Sequence, residues 1–426
     1  MVIALGLFLF TYLALLIFSN VKAYIAIAMA GLFLVLGYTQ FTDVFSSAMN
    51  WNVFMIIGGT MIVVSEFIDS GMPALLADWM MSKVSSTKLA IIVLAAFAGI
   101  VSAFVDNVAT VLIVAPIALD IAKKTKMSPV PLVIAVSVFA NIQGFATLVG
   151  DTTSVMLAGP QYGNMNFFDF FFINGNIGPF FIVQIGTIAS LVMLWFILGK
   201  QQASIELKYQ TKVTDYSPSF FLGSILILLI IASFIPNLPN EINGYITLGT
   251  ALVFVAYRFI IKKQTKAFIN AFNAIDFETL GLLFGLFILI MGLENQGVIA
   301  AMGDWLESVG NGDPMVIYTI VVLSSVLFSA FIDNIPYVAT LLPVMMRVGL
   351  SLDLGIPPYL LLFGLLAGAT LGGNLTPIGA SANIAGIGFL KKIGFQVTFT
   401  DFFKIGFPIT IAALTTGYLL IFGLFA

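Results

Sequence analysis

Four polar clusters interrupt an otherwise apolar chain of 426 residues. Asp106-Asn107 and Asp333-Asn334 each stand near the middle of a hydrophobic stretch, 88–123 and 313–348, too long for a single membrane span. Thr147-Leu148-Val149-Gly150-Asp151-Thr152-Thr153-Ser154 and Thr376-Pro377-Ile378-Gly379-Ala380-Ser381-Ala382-Asn383 each lie inside a further apolar run. A carboxylate in hydrocarbon costs roughly 2.5–3.5 kcal/mol on insertion scales, so its default meaning is functional. At a hairpin tip, freed carbonyls join the Asp and Asn oxygens in a hard donor set suited to Na⁺ or a proton. The plainer reading is that each Asp caps the second hairpin helix and each Asn helps the turn, which can coexist with ion binding. In the other two clusters a Gly marks where a helix breaks. Hydroxyls, amides and the N-terminus of the resumed half-helix would favour an anion. A Ser/Thr kink bonded back to its own helix is the alternative there.

The candidate binding residues of the first half are Asp106, Asn107, Thr110, Asn141, Thr147, Gly150, Asp151, Thr152, Thr153 and Ser154. Those of the second half are Asp333, Asn334, Asn374, Thr376, Gly379, Ser381 and Asn383. Asp106, Asn107, Asp333 and Asn334 form the candidate Na⁺ site. Ala380 occupies the position of Asp151, so the first half is the expected home of extra cation or proton binding.

Composition says what must position these groups. Hydrophobic residues make up 60% of the chain and charged ones 9%, with a mean hydropathy of +1.10; a soluble domain carries about 25% charged residues. Lipid is therefore the expected solvent. A net charge of −3 gives no case for nucleic acid. With neither His nor Cys, the usual general base, thiolate nucleophile and zinc ligands are missing, so neither an enzyme nor a cofactor is expected. The N-terminus enters an apolar run without a basic leader region and reads as a first span.

A helical span needs about 20 apolar residues. Such runs fall at 2–19, 23–39, 52–70, 130–158 (interrupted), 177–199, 218–236, 244–261, 277–294, 357–390 (interrupted) and 404–425. With the N-terminus outside and both long stretches folding back as re-entrant hairpins, sixteen of the seventeen Lys and Arg residues fall on one face. Only Arg347 falls on the other. That asymmetry is the positive-inside signal, with both termini outside the cell membrane.

The halves repeat. Gly59, Gly71, Asp78 and Trp79 recur 226 residues later as Gly285, Gly297, Asp304 and Trp305. Ser102-Ala103-Phe104-Val105-Asp106-Asn107 recurs as Ser329-Ala330-Phe331-Ile332-Asp333-Asn334, shifted by 227, and Pro116 as Pro343 at the same shift. Thr147 to Gly150 matches Thr376 to Gly379 at 229, and Asp169-Phe170-Phe171 matches Asp401-Phe402-Phe403 at 232. Five crossings per unit put the second copy upside down. The expected fold is an all-α polytopic membrane protein of two inverted repeats, 1–199 and 218–426. Each has five spans plus one re-entrant hairpin, with interrupted helices, and a cytoplasmic linker at 200–217 joins them. Transporters are built this way, with the site at the repeat interface near the midplane.

Remaining polar residues read as periphery. Glu66, Asp69 and Glu294 are expected at the interface with ordinary solvation, and Asp120 beside Lys123 and Lys124 as a solvated neighbour. Segments 74–84 and 298–308 look like amphipathic helices with Trp79 and Trp305 at headgroup depth.

These paired motifs resemble the ion transporter superfamily. The similarity is strongest to its branch of citrate permeases, arsenite pumps, NhaD-type antiporters and the pink-eyed dilution protein. The dicarboxylate carriers of the divalent anion/sodium symporter family are more distant. The resemblance covers nearly the whole chain. It implies a homodimer in which scaffold parts (1–87 and 218–312) hold the dimer while transport parts (88–199 and 313–426) slide as an elevator. The dicarboxylate carriers have Ser-Asn-Thr at each tip; here Asp106 and Asp333 replace their Ser, and Val108 and Ile335 their Thr. Carboxylates gained and hydroxyls lost favour a proton or a differently built cation site.

The expected function is secondary transport of a small organic anion such as a di- or tricarboxylate, coupled to H⁺ or Na⁺ or by exchange. No Lys or Arg is expected near the pocket, so cotransported cations or a metal–citrate complex would supply positive charge. Na⁺/H⁺ antiport is the alternative, since Asp106, Asp151 and Asp333 read as acids without a basic partner. Efflux of arsenite or another oxyacid is a third.

Overall fold

Runs of Leu, Ile, Phe, Ala and Met, punctuated by Gly, Pro and capping side chains, set the element boundaries. The computed structural model describes residues 1–84, 86–199 and 211–426. Most of the expected linker, residues 200–210, lies outside the described residues. The fold is nearly all helical; a two-residue ribbon, Phe172–Ile173 against Asn176–Ile177, turns at Asn174-Gly175 with positive φ at both positions.

Trp51–Asp69, Pro179–Ile197, Phe277–Asn295 and Phe399–Phe425 are long and apolar enough to cross a membrane. The expected spans 2–19, 23–39 and 218–236 are shorter helices: Val2–Ile17, Lys22–Val35 and Ser217–Ser233. Each hydrophobic stretch that was too long resolves into two helices: Thr87–Ser102 with Asn107–Thr125, and Pro314–Ser329 with Asn334–Ser351. A 16-residue arm is about 24 Å long, short of a roughly 30 Å hydrocarbon core. Both interrupted runs do break: Val130–Ile142 before Thr152–Val155, and Tyr359–Gly372 before Ser381–Lys392.

Amphipathic helices occur at Met72–Met81 and Val298–Val309, with Trp79 and Trp305 exposed. Two short helical segments were not anticipated, around Phe41–Ala48 and at Ala267–Ala274. Both expose Phe side chains (Phe41, Phe45, Phe268, Phe272) just before a long helix.

Among the helix pairs that join the halves, Lys22–Val35 packs on Phe277–Asn295, and Trp51–Asp69 packs on Ile242–Ile260. In each pair a glycine allows backbone contact. A Cβ on Gly285 would stand 2.5 Å from the Ala26 carbonyl carbon, and one on Gly59 2.5 Å from that of Thr247. Close approach through small residues is how helices associate where apolar burial gives no gain over lipid. Elsewhere, hairpin helix Pro314–Ser329 packs on Tyr359–Gly372, Thr87–Ser102 on Val130–Ile142, and Pro179–Ile197 on Phe399–Phe425.

Glu66 departs from the sequence expectation. Its carboxylate is 2.5 Å from the Arg258 guanidinium, and the two side chains are only 13% and 11% exposed. Arg258 and Lys262 also reach Asp215, at 3.3 and 3.2 Å. Partial burial alone would raise the Asp215 carboxyl; hydrogen bonds from the Ser217 backbone and hydroxyl and from Lys262 hold it below the usual carboxylate value. Glu66 and Arg258 are 192 residues apart, so neither announces its partner locally. Asp78 is likewise buried and accepts from the Thr211 backbone.

Gly285→Leu is expected to lower the melting temperature in detergent. It forces side-chain atoms into the Ala26 backbone, and overpacking costs typically about 1–3 kcal/mol. Gly31→Ala, where a Cβ meets nothing within 4 Å, is expected to be neutral or stabilising by up to about 1 kcal/mol through helix propensity. Equal melting temperatures for the two variants would contradict this account of the helix contact.

Candidate functional site

Each hairpin tip is held by the same local bonds. Helix Thr87–Ser102 ends, three residues turn, and the Asp106 carboxylate caps the next helix by accepting from Val108 N (3.0 Å) and Ala109 N (3.1 Å). Ser102 Oγ donates to Asn107 Oδ1 across the turn at 2.6 Å. In the second hairpin Asp333 accepts from Ile335 N at 3.2 Å, and the Ser329 hydroxyl donates to Asn334 Oδ1. The recurring Ser-Ala-Phe-Val/Ile-Asp-Asn sequence thus becomes one structure made twice, with Asp as a cap in both.

The broken helices pack against these tips. Thr147 Oγ1 donates to the Ala103 carbonyl, and Thr376 Oγ1 to the Ala330 carbonyl. Gly150 and Gly379 let the chain pass there: a Cβ would lie 3.1 Å from Ala103 O and 2.7 Å from Ala330 O. Ser154 Oγ closes the first break onto Gly144 O at 3.0 Å, and Asn383 Nδ2 closes the second onto Gly373 O at 2.9 Å. Between the breaks, Asn141 Nδ2 donates to Thr370 O (2.7 Å) and Asn374 Oδ1 (3.1 Å), and Asn374 Nδ2 returns to Val138 O at 3.2 Å.

The two resumed helices differ. Ser381–Lys392 runs twelve residues, and Ala380 at its start offers no side-chain cap. Thr152–Val155 is a four-residue turn. Its start is occupied by Asp151, which accepts from Thr152 N and Thr153 Oγ1 at 2.9 Å each. Of the two resumed-helix N-termini, the second alone is free of a side-chain cap. The turn Thr152–Val155 continues only through a 3-10 turn, Met156–Ala158, so it sums a small dipole that the Asp151 carboxylate already opposes.

Both tips and both breaks meet at one cavity of about 390 Å³. Of the candidate residues, Asp106, Asn107, Asn141, Asp151, Thr152, Asp333, Asn334 and Ser381 line it. Thr110, Thr147, Gly150, Thr153, Ser154, Asn374, Thr376, Gly379 and Asn383 are not among its lining residues. Ser154 and Asn383 are spent on carbonyls of their own breaks, the role that the kink reading assigns, while Thr147 and Thr376 are spent on hairpin-tip carbonyls. Thr110 is fully buried with its hydroxyl unpartnered.

The opposite wall comes from elsewhere: Met61, Val64, Ser65 and Ile68 on helix Trp51–Asp69, then Ala274, Asp276, Glu278, Thr279 and Lys22. Lys22 corrects the view that no basic residue approaches the pocket. Its ammonium is 2.8 Å from Asp333 Oδ2, with the two side chains 20% and 29% exposed. Asp333 is thus not an acid without a basic partner, and the four-residue Na⁺ set is unequal: one tip already holds a cation. Among the described residues no ion pair forms to Asp106 or Asp151, and no group of three or more acids is arranged to hold a metal ion. Five carboxylates and one ammonium therefore line this cavity.

Sequence reasoning missed Lys22, Asp276 and Glu278. The signal for Lys22 is its position as a lone cation opening a helix, against the macrodipole. Asp276 carries a cap signature: it accepts from Glu278 N and Thr279 N.

A larger cavity of about 680 Å³ lies at the other end of helix Phe277–Asn295, lined by Glu294, Asp304, Glu307, Arg347 and Tyr162 among others. Arg347 pairs there with Asp304 at 2.9 Å. Glu278 and Glu294 are 16 residues, or about 24 Å, apart along that helix, which separates Arg347 from the hairpin tips and helix breaks; no candidate binding residue lines this cavity.

Known proteins resemble this chain along its length. A family model described as citrate transporter matches residues 13–354 and 268–426. A transporter of Mycobacterium tuberculosis is 27% identical over 406 residues, covering 92% of this chain and 91% of that one. A 46 kDa membrane protein of Mycobacterium leprae is 28% identical over 424 residues, covering 97% and 96%. The human P protein is 25% identical over 411 residues, covering 78% of this chain and 48% of that one. Among solved structures, the Alcanivorax borkumensis YdaH transporter aligns with a TM-score of 0.59 at 13% identity, over 91% of this chain and 86% of that one. That likeness shows the fold alone.

The split between bonding and lining residues predicts two phenotypes. Thr376→Val leaves the buried Ala330 carbonyl without its donor and is expected to cost about 1–3 kcal/mol of stability, read as a lower melting temperature. Thr152→Val, at the cavity wall, is expected to leave melting within about 0.5 kcal/mol, as a change away from core, cap and ion-pair features does, while altering transport. The reverse pattern would invert the assignment of the two hydroxyls.

Proposed function

The chain belongs to the citrate transporter family and is a membrane transporter, and we propose that it is a secondary active carrier of a small organic anion of the di- or tricarboxylate class. The convergence of two hairpin tips and two helix breaks on a single cavity carries the proposal. Helix Ser381–Lys392 brings an open N-terminus to that cavity, and Lys22 brings its ammonium. Both favour a carboxylate ligand. With five carboxylates already present, a multiply charged anion enters only with compensating cations, as coupled H⁺ or Na⁺ or as a metal complex.

In this reading, the helix pairs Lys22–Val35 with Phe277–Asn295 and Trp51–Asp69 with Ile242–Ile260 belong to a static scaffold formed by 1–87 and 218–312. Hairpins and broken helices form the moving part, 88–199 and 313–426, and the cavity lies between the two, where alternating access needs it. The carrier works as a homodimer in the cell membrane, with its repeats inverted, both termini outside, and an elevator stroke moving the tips. Na⁺/H⁺ antiport is the second reading; Asp106 and Asp151, which form no ion pair among the described residues, favour it.

Uptake of radiolabelled citrate and succinate into proteoliposomes, with imposed pH and Na⁺ gradients, separates the two. The expected result is gradient-driven accumulation of at least one organic anion by the wild type, and loss of coupled uptake in Asp106→Asn with an unchanged elution profile. Na⁺ or Li⁺ flux without any organic-anion flux would replace this reading with the antiporter.

A further inference from the structure

Lys22 is placed at an energetic disadvantage. It is the first residue of helix Lys22–Val35, where a cation opposes the helix dipole, and it is mostly withdrawn from solvent. Its contact with Asp333, 311 residues away, offsets this. The first hairpin tip has no such cation among the described residues, although Asp106 lines the same cavity. Asp151, Asp276 and Glu278 line that cavity too, so among the described residues Lys22 is the one cationic side chain in a ring of carboxylates.

The pair also stands on a boundary. Lys22, Glu278, Asp333 and Ser381 line both the 390 Å³ cavity and a neighbouring one of about 480 Å³. A four-carbon stem beside open volume lets the ammonium move without repacking a core. Ser381 opens the uncapped helix, so the group that the ammonium would meet on leaving Asp333 lies where backbone N–H groups also favour an anion.

We propose that Lys22 is the residue that selects an anionic substrate: its ammonium exchanges the Asp333 carboxylate for a carboxylate of the incoming organic anion. The inference rests on the organic-anion reading above and names the side chain on which that reading turns. Without Lys22 the cavity presents only negative side-chain charge, and a carboxylate ligand would be rejected by like charge.

The test uses the full-length protein in proteoliposomes with citrate and succinate as probes, and the same protein in detergent for ligand-induced thermal shifts. Lys22→Gln is expected to raise KM at least about tenfold, with a smaller change in kcat, because it removes a ligand contact made on binding. Lys22→Arg is expected to retain most of the affinity. Lys22→Gln/Asp333→Asn removes both members of the pair and so leaves no carboxylate at position 333 without its cation, keeps the comparison usable if the single variant folds poorly, and is expected to show the same high KM. A KM restored to the wild-type value in the double variant would overturn the proposal, because Lys22 would then only neutralise Asp333. An unchanged KM in Lys22→Gln would overturn it as well, while wild-type uptake left the organic-anion reading standing. A wild type that neither transports nor is stabilised by citrate or succinate would overturn both.

Discussion

Everything in this molecule follows from the need to bond backbone polar groups where water is absent. A helix that stops inside hydrocarbon exposes carbonyls and N–H groups, each costing several kcal/mol if left unpaired. Two hairpins and two broken helices create such ends four times, and the chain answers by making them bond to one another. Thr147 and Thr376 cover the tip carbonyls of Ala103 and Ala330, Ser154 and Asn383 close the breaks, and Asn141 and Asn374 cross-link the two broken helices. Asp106 and Asp333 satisfy the N–H groups opening the second hairpin helices. The polar clusters that look like a ligand site are therefore first a structural solution. The proposed ligand cavity is what remains on the inner surface of that solution.

Charge is distributed as unevenly as hydrogen bonding is even. Both tips have an Asp cap and the same Ser–Asn bond, yet among the described residues only Asp333 has an ammonium beside it. Both breaks have the same hydroxyl-to-carbonyl bond, yet only the first has a carboxylate at the start of the resumed helix, and the second resumes as the longer α-helix. Duplicated architecture with divergent electrostatics lets one cavity offer a cation-attracting side at Asp106 and Asp151 and an anion-attracting side at Lys22 and the Ser381 helix. The proposed carriage of an anion with a counter-ion would use both kinds of surface within one site.

Residues that bond along a short stretch were legible in advance. The long apolar segments had to turn near Asp106 and Asp333 because a span accommodates only about 20 residues, and the Gly-containing Ser/Thr clusters had to mark breaks. Residues acting across the fold were not. Glu66 read as a solvated interfacial acid and is instead paired with Arg258; Lys22 read as one of many inner-face cations and instead stands at the cavity. Thr147 and Thr376 have the right chemistry for ligands, and the acceptors that decide their role, the Ala103 and Ala330 carbonyls, belong to the preceding hairpin.

By itself the sequence determined the solvent, the helical class, the repeated polar motifs and the places where helices must stop. Each follows from hydropathy, length and local turn chemistry within a few dozen residues. Tertiary structure alone decided which of those polar groups are consumed by the backbone and which face open volume, and it alone brought Lys22 to Asp333. The physical reason is that bonding and Coulomb energies depend on distances of a few ångströms, and a linear chain leaves such distances unspecified between residues 311 positions apart.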